Sequence, residues 1–196
     1  MRDNNNSNIN RKINELKYQI SRYEDQTAYK SLFFILFPSL QNFIFTILKS
    51  RVWAEEIASD LMMDVWIKQE RLQDIENLKL YLFVSARHAA LARLKQENKI
   101  DVFSLDEVEV EFISDYINPA QASECTELEY KIAKTVKGLP PACQLIYKLA
   151  KVDRLKYKEI AEIFHFSVKT IDNQLAIALK SIAEVIGRDQ ALYLVS

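Results

Sequence analysis

The side chains most able to do chemistry lie between residues 167 and 182, and their types suit contact with nucleic acid. They recur at helical spacing and comprise Lys169, Thr170, Asn173, Gln174 and Lys180. Lysine binds phosphate oxygens, whereas Asn and Gln amides offer the paired donor and acceptor that match adenine. The chain carries no glycine-rich phosphate loop, no HExxH and no supported Ser/His/Asp grouping. The pattern favours nucleic-acid binding over catalysis.

Two short helical patterns must position these side chains. In the first, Ile160, Ala161 and Phe164 share a face, and the small Ala161 allows a second helix to approach closely. Ser167 then offers a side-chain oxygen to the free N–H groups of the next helix. The apolar stripe of that helix comprises Val168, Ile171, Leu175, Ala178, Leu179 and Ile182.

This arrangement predicts a helix-turn-helix, with an ordinary helical hairpin as the alternative. The turn carries His165 where Gly is usual. Because His tolerates a left-handed backbone better than most residues, the prediction stands with this substitution.

Composition predicts an all-α protein with short connections. The chain has 196 residues, 49% of them hydrophobic, with 2 Gly and 4 Pro. Its two cysteines, Cys125 and Cys143, form no disulfide framework, which favours a reducing cytoplasm and no metal or cofactor. The apolar run at residues 32–48 is shorter than the ~20 residues of a membrane span. We therefore expect a buried helix pair broken at Pro38.

The helical patterns fall into two blocks. We predict helices at 9–24, 27–37, 39–49, 53–69 and 77–97, then at 128–137 and 142–150 before the helix-turn-helix. Between the blocks, residues 101–127 hold eight acidic and no basic residues. Such a stretch predicts a linker between domains. The predicted organisation is an N-terminal extension at 1–26, a helical domain at 27–100, the linker at 101–127 and a second helical domain at 128–196.

Two helices have predicted buried faces. The N-terminal helix, after a disordered Asn-rich start, has an apolar face of Ile13, Leu16, Ile20 and Tyr23. Helix 53–69 buries Ile57, Leu61 and Val65, which leaves an acidic outer face containing Glu55, Glu56, Ser59, Asp60 and Met63. An acidic exposed face suits a basic helical partner.

Four segments resemble bacterial sigma factors of the extracytoplasmic-function (ECF) group. Residues 54–66, Ala-Glu-Glu-Ile-Ala-Ser-Asp-Leu-Met-Met-Asp-Val-Trp, resemble the family's Ala-Glu-Asp-Ile-Val-Gln-Asp-Val-Phe-Leu-Lys-Leu-Trp pattern. Residues 75–88 resemble the stretch that follows it. Residues 138–143, Gly-Leu-Pro-Pro-Ala-Cys, are similar to the opening of sigma region four, and residues 157–162 to its helix-turn-helix. Together the resemblance covers roughly residues 27–184.

The resemblance implies a protein without catalysis of its own that gives core RNA polymerase its promoter specificity. Domain one would dock on the clamp helices of the largest subunit through Glu56, Ser59, Asp60, Met62 and Trp66. Helix 77–97 would melt and read the minus-ten element, with a flipped base in a pocket near Leu78, Phe83, Ser85 and His88 and further DNA contacts at Lys79 and Arg87.

Domain two would read the minus-thirty-five element and contact the polymerase flap. The residues implied are Ser167, Lys169, Thr170, Asn173 and Gln174. The acidic linker would thread toward the active-site channel, and an anti-sigma factor would bind both domains. The rival hypothesis is a stand-alone helix-turn-helix regulator whose first domain senses a ligand or dimerises. That rival predicts specific duplex binding without polymerase.

Overall fold

The computed structural model describes residues 3–97 and 127–187, with the side chains of residues 8–97, 131–185 and 187. The chain separates into two compact units, Met1–Phe103 and Ser104–Ser196. Within the described residues all regular structure is helical, which confirms the all-α prediction. The predicted acidic linker lies outside the described residues, apart from Glu127.

The first unit contains four α-helices and one 3₁₀ helix. These are α1 (Asp3–Tyr23), α2 (Gln26–Leu48), α3 (Arg51–Ile67), the 3₁₀ helix (Gln69–Asp74) and α4 (Leu78–Gln96). The side chains of Asp25, Ser50 and Asn77 accept hydrogen bonds from the first N–H groups of α2, α3 and α4. These caps explain why the helices begin where they do.

Helix α1 packs against α2 and the 3₁₀ helix through Ile13, Leu16 and Ile20, each at most 2% exposed. The expected disordered start is wrong, because the helix begins at Asp3. Tyr23 is also not part of the buried face and is 67% exposed. It is the last residue of α1, immediately before the reversal at Glu24, where φ is 51°.

Helix α2 runs through Pro38 without a break, so the predicted pair of helices is wrong. An interior proline costs ~3 kcal/mol because it removes a hydrogen bond and crowds the preceding turn. Here Leu36 and Leu40, on either side of Pro38, are at most 1% exposed, so packing outweighs that cost. The helix has 23 residues, and its most apolar 18-residue window has a mean hydropathy of 1.8 and is 44% buried. By length and composition it could cross a membrane, but core helices share these features.

Helix α3 packs closely against α2 through small side chains. Ala54, Ala58 and Met62 are fully buried and Val65 is 3% exposed. Ile57 and Leu61, which we predicted to be buried with Val65, are only half-buried. The predicted stripe followed the largest apolar residues, whereas close helix approach favours alanine at four-residue spacing.

The second unit contains α5 (Glu127–Lys137), α6 (Pro141–Tyr147), a π-helical turn (Lys148–Val152), α7 (Tyr157–Phe164) and α8 (Val168–Ile186). Helix α8 contacts α5, α6 and α7. One part of the hydrophobic core of the second unit is formed by Val136, Leu139, Cys143, Ala178 and Ile182. Cys143, on α6, therefore lies in an apolar cluster directly under α8.

Candidate nucleic-acid interface

The predicted helix-turn-helix is present as α7, a short turn and α8. Ile160, Ala161 and Phe164 are at most 6% exposed, as the shared face required. His165 adopts the left-handed conformation, with φ 58° and ψ 38°. Ser167 caps α8, because its Oγ accepts a hydrogen bond of 3.0 Å from the Thr170 N–H. Both local expectations are confirmed.

The outer face of α8 carries the predicted DNA-reading residues. Ser167, Lys169 and Asn173 are exposed, and Thr170 and Gln174 are half-buried. Val168 is 42% exposed, so its place in the predicted apolar stripe is wrong. It is the first residue of α8, and buried packing starts only at Ile171. Lys180 is exposed and lies 4.0 Å from a Glu184 oxygen.

Gln174 has a partner that sequence reasoning missed. Its Oε1 accepts a hydrogen bond of 2.8 Å from the Cys143 thiol on α6. Burial raises the pKa of Cys143, so the sulfur keeps the proton that it donates. The two residues are 31 positions apart, and nothing local in the sequence links them.

One family model matches part of the second unit. Residues 130–182 match the model described as Sigma-70, region 4. Over this stretch the second unit is similar to sigma-70 region 4, and we call it the region 4 domain. This confirms the predicted resemblance to sigma factors in the segment where the sequence placed region four. No curated protein matches the chain.

Among the solved structures similar to this chain is one described as the sigma factor RpoE in complex with the anti-sigma factor NepR from Bartonella quintana. The match has a TM-score of 0.48 and 18% sequence identity, and it covers 81% of this chain and 96% of that chain.

The residues predicted to dock on polymerase lie on α3 of the first unit. Glu56 and Asp60 are exposed, and within the described residues neither carboxylate forms an ion pair. Ser59 and Trp66 are half-buried. Met62 is fully buried, so its inclusion as a surface contact is corrected.

Trp66 and Met62 are both tied to the same residue of α2. The Trp66 ring lies 5.1 Å from the Tyr29 ring, and the Tyr29 hydroxyl donates to the Met62 carbonyl at 2.9 Å. Burial raises the pKa of Tyr29. These contacts fix the angle between α2 and α3, and thereby the direction of the acidic face.

The residues predicted to hold a minus-ten base are distributed over both faces of α4. Leu78, Lys79 and Phe83 are buried, Ser85 and Arg87 are half-buried, and His88 is exposed. Phe83 is fully buried, with its ring 5.2 Å from that of Phe43. Leu78 and Phe83 therefore do not line an open base pocket in this structure, whereas Ser85, Arg87 and His88 remain predicted DNA contacts.

An open cavity of about 360 Å³ lies instead between α3, the 3₁₀ helix and the start of α4. Its apolar lining includes Leu61, Leu72 and Tyr81. Its charged lining comprises Lys68, Arg71, Asp64 and Asp74, and Lys68 forms an ion pair with Asp64. The exposed ring suits stacking with a base, and Arg71 is the cation available for its phosphate. This site was not identified from the sequence, because the exposure of Tyr81 is visible only in the fold.

Two arginines on α4 differ in their surroundings. The Arg93 guanidinium lies 3.3 Å from the Trp53 ring centroid, and its Nη2 lies 3.3 Å from a Glu97 oxygen. These contacts hold it against the fold. Partial burial lowers the pKa of Arg87, and its Nε has no hydrogen-bond partner among the described residues. Arg87 is therefore the better placed of the two to bind a phosphate.

Proposed function

We propose that this chain is an ECF-type sigma factor that binds core RNA polymerase and directs promoter-specific initiation. The observation that carries the proposal is the region 4 domain, whose helix-turn-helix presents Lys169 and Asn173 to solvent. Sigma factors act inside the cell on promoter DNA, so a cytoplasmic location goes with this proposal.

The acidic face of α3 is the proposed polymerase-docking surface. Glu56 and Asp60 are exposed at four-residue spacing on a helix whose opposite side is buried against α2. The resemblance to ECF factors assigns the clamp helices of the largest polymerase subunit as the partner. Charge complementarity with a basic helix would set orientation and speed association.

The cavity beside α4 is the proposed site for a minus-ten base. Tyr81 is 47% exposed and offers a stacking surface, while Arg71 offers a cation for phosphate. Lys68 is paired with Asp64, and Asp74 also lines the cavity, so stacking on the ring is the main proposed contact. Ser85, Arg87 and His88 continue along α4 and would contact the same strand.

Region 4 is the proposed reader of the minus-thirty-five element. Ser167 and Lys169 lie at the start of α8, where free N–H groups and the helix dipole favour phosphate. Thr170 lies in the same turn, and Asn173 and Gln174 follow one turn later, at base-edge reach for a helix in the major groove. The polymerase flap and an anti-sigma factor are further proposed partners of this domain.

The experiment combines the full-length chain with core polymerase and measures initiation on a promoter library randomised at both elements. Specific transcription that requires the chain supports the proposal. The control is the chain alone on the same duplexes. Tight, specific duplex binding at physiological salt without polymerase, and no stimulation of initiation, would establish the stand-alone regulator instead.

A further inference from the structure

The hydrogen bond between Cys143 and Gln174 joins the core of the region 4 domain to its outer face. Cys143 is fully buried in the cluster that includes Leu139, Ala178 and Ile182. Gln174 is half-buried and lies one residue after the exposed Asn173. The 2.8 Å contact is thus made at the boundary between the packed and the open side of α8.

This contact changes what the Gln174 amide can offer to a base. A glutamine recognises adenine bidentately when its oxygen accepts from the N6 amino group and its nitrogen donates to N7. Here Oε1 accepts from the thiol of α6 and is thereby held toward the packed side of α8. The oxygen keeps a second lone pair, but in this orientation the oxygen is turned away from the open side of the helix. The Nε2 group is left as the outward donor, and donors match guanine N7 and O6, adenine N7 and thymine O4.

The buried thiol is suited to act as a fixed donor. Burial raises the pKa of Cys143, which keeps the S–H intact at neutral pH. An apolar cluster also holds the sulfur in place, because core side chains occupy well-defined rotamers. An exposed side chain that changes rotamer would not hold the Gln174 amide in one orientation in this way.

We propose that Cys143 is a positioning residue for promoter reading: by engaging Gln174 Oε1, it makes Gln174 a donor toward the minus-thirty-five bases. This rests on the proposed function, because it concerns the same recognition helix. It alters the expectation from sequence that Gln174 pairs bidentately with adenine.

The test compares Cys143→Ala, Cys143→Val and Cys143→Ser in the full-length chain assembled with core polymerase. Initiation is profiled on a library randomised at the minus-thirty-five element, with Gln174→Ala as the reference. The serine variant keeps a donor, whereas alanine and valine do not, and valine fills the space. Helical content and thermal melting are measured for every variant.

Without the thiol, nothing holds Oε1 toward α6 and the amide can turn its oxygen to a base. The adenine-to-guanine ratio at the Gln174-dependent position should then rise about threefold to tenfold, the range of one neutral hydrogen bond. The serine variant should keep the wild-type profile. Adding Cys143→Ala to Gln174→Ala should change nothing further. Overall activity should change less than base preference does. A merely structural role of Cys143 would not produce this difference between the two readouts.

Two results would overturn the proposal. One is a wild-type base profile in both the alanine and valine variants while Gln174→Ala shifts it. The other is a Gln174→Ala profile identical to wild type. Both leave the sigma-factor proposal standing as long as wild-type initiation still depends on the upstream element. Loss of that dependence in the wild type would be a failure of the proposed function itself.

Discussion

Changing Glu56 and Asp60 together to lysine separates polymerase docking from folding. Both side chains are exposed, and within the described residues neither has an ion-pair partner. Exposed charges contribute roughly 0–1 kcal/mol to stability, so helical content and melting should remain near wild type. The face of α3 that packs against α2 through Ala54 and Ala58 is untouched.

The effect on binding should be much larger. Each reversal removes an attraction to a basic partner and adds a repulsion of similar size. Each of the two reversals therefore makes two changes of about 0.2–1 kcal/mol, and together these changes sum to about 1–4 kcal/mol. We therefore expect affinity for core polymerase to fall at least about tenfold, which corresponds to 1.4 kcal/mol. The loss should shrink at high ionic strength because salt screens exposed charges.

The assay is a fluorescence titration of labelled chain with core polymerase at two salt concentrations. Glu15→Lys on α1 with Glu24→Lys just after α1 is the control, since it makes the same change in net charge at exposed positions of the same unit. Glu15 also loses an exposed ion pair with Arg11, which contributes little to stability. The control variant should bind as the wild type does. Unchanged affinity of the α3 variant, with its fold intact, would refute the docking surface and remove the main support for a sigma role of this unit.

Three further predictions concern the other sites. Lys148 and Asp153 are both buried in the region 4 domain, and the charge of Asp153 favours the protonated form of Lys148. Lys148→Met should therefore destabilise this domain, by up to about 3–5 kcal/mol, because a buried carboxylate loses a nearby opposite charge; hydrogen exchange in α8 would measure this, and Asp153→Leu in the same variant should restore most of it. Burial lowers the folded-state pKa of Lys148 below 10.5, the value in the unfolded chain. Between the folded-state and unfolded-state pKa values the unfolded chain binds more protons, so wild-type stability should rise with pH in that range. The methionine variant should lack this rise. Tyr81→Ala should weaken binding to a forked minus-ten template by about 1–3 kcal/mol without loss of fold. Lys169→Ala should weaken initiation at all promoters alike, whereas Asn173→Ala should change the preferred upstream bases. Equal base profiles for the Lys169 and Asn173 variants would contradict the division between phosphate and base contacts.

The sequence predicted best those features that depend on neighbouring residues. The cap at Ser167, the left-handed turn at His165 and the buried face of α7 all follow from local backbone chemistry and helical periodicity. These constraints act within one or two turns of helix. A single sequence therefore contains enough information to locate the helix-turn-helix.

Features that depend on tertiary packing were predicted less well. Pro38 is accommodated because α2 is held along its length by other helices, which no local pattern reveals. The buried face of α3 is centred on alanines, since close approach of α2 matters more there than side-chain size. The cavity beside Tyr81 and the Cys143–Gln174 contact join segments distant in sequence, so they required the fold.

The few positive charges on α8 indicate that this helix would bind DNA only weakly without polymerase. Its recognition face has Lys169 as an exposed cation in the first turn, while Asp172 is also exposed and Lys180 lies beside Glu184. Few neutralised phosphates give a shallow salt dependence and modest affinity. A reader of this kind gains effective concentration only when it is linked to another binding surface. The proposed docking through α3 would supply that link, so the weak charge of α8 agrees with the proposal that this chain reads promoters as part of the polymerase.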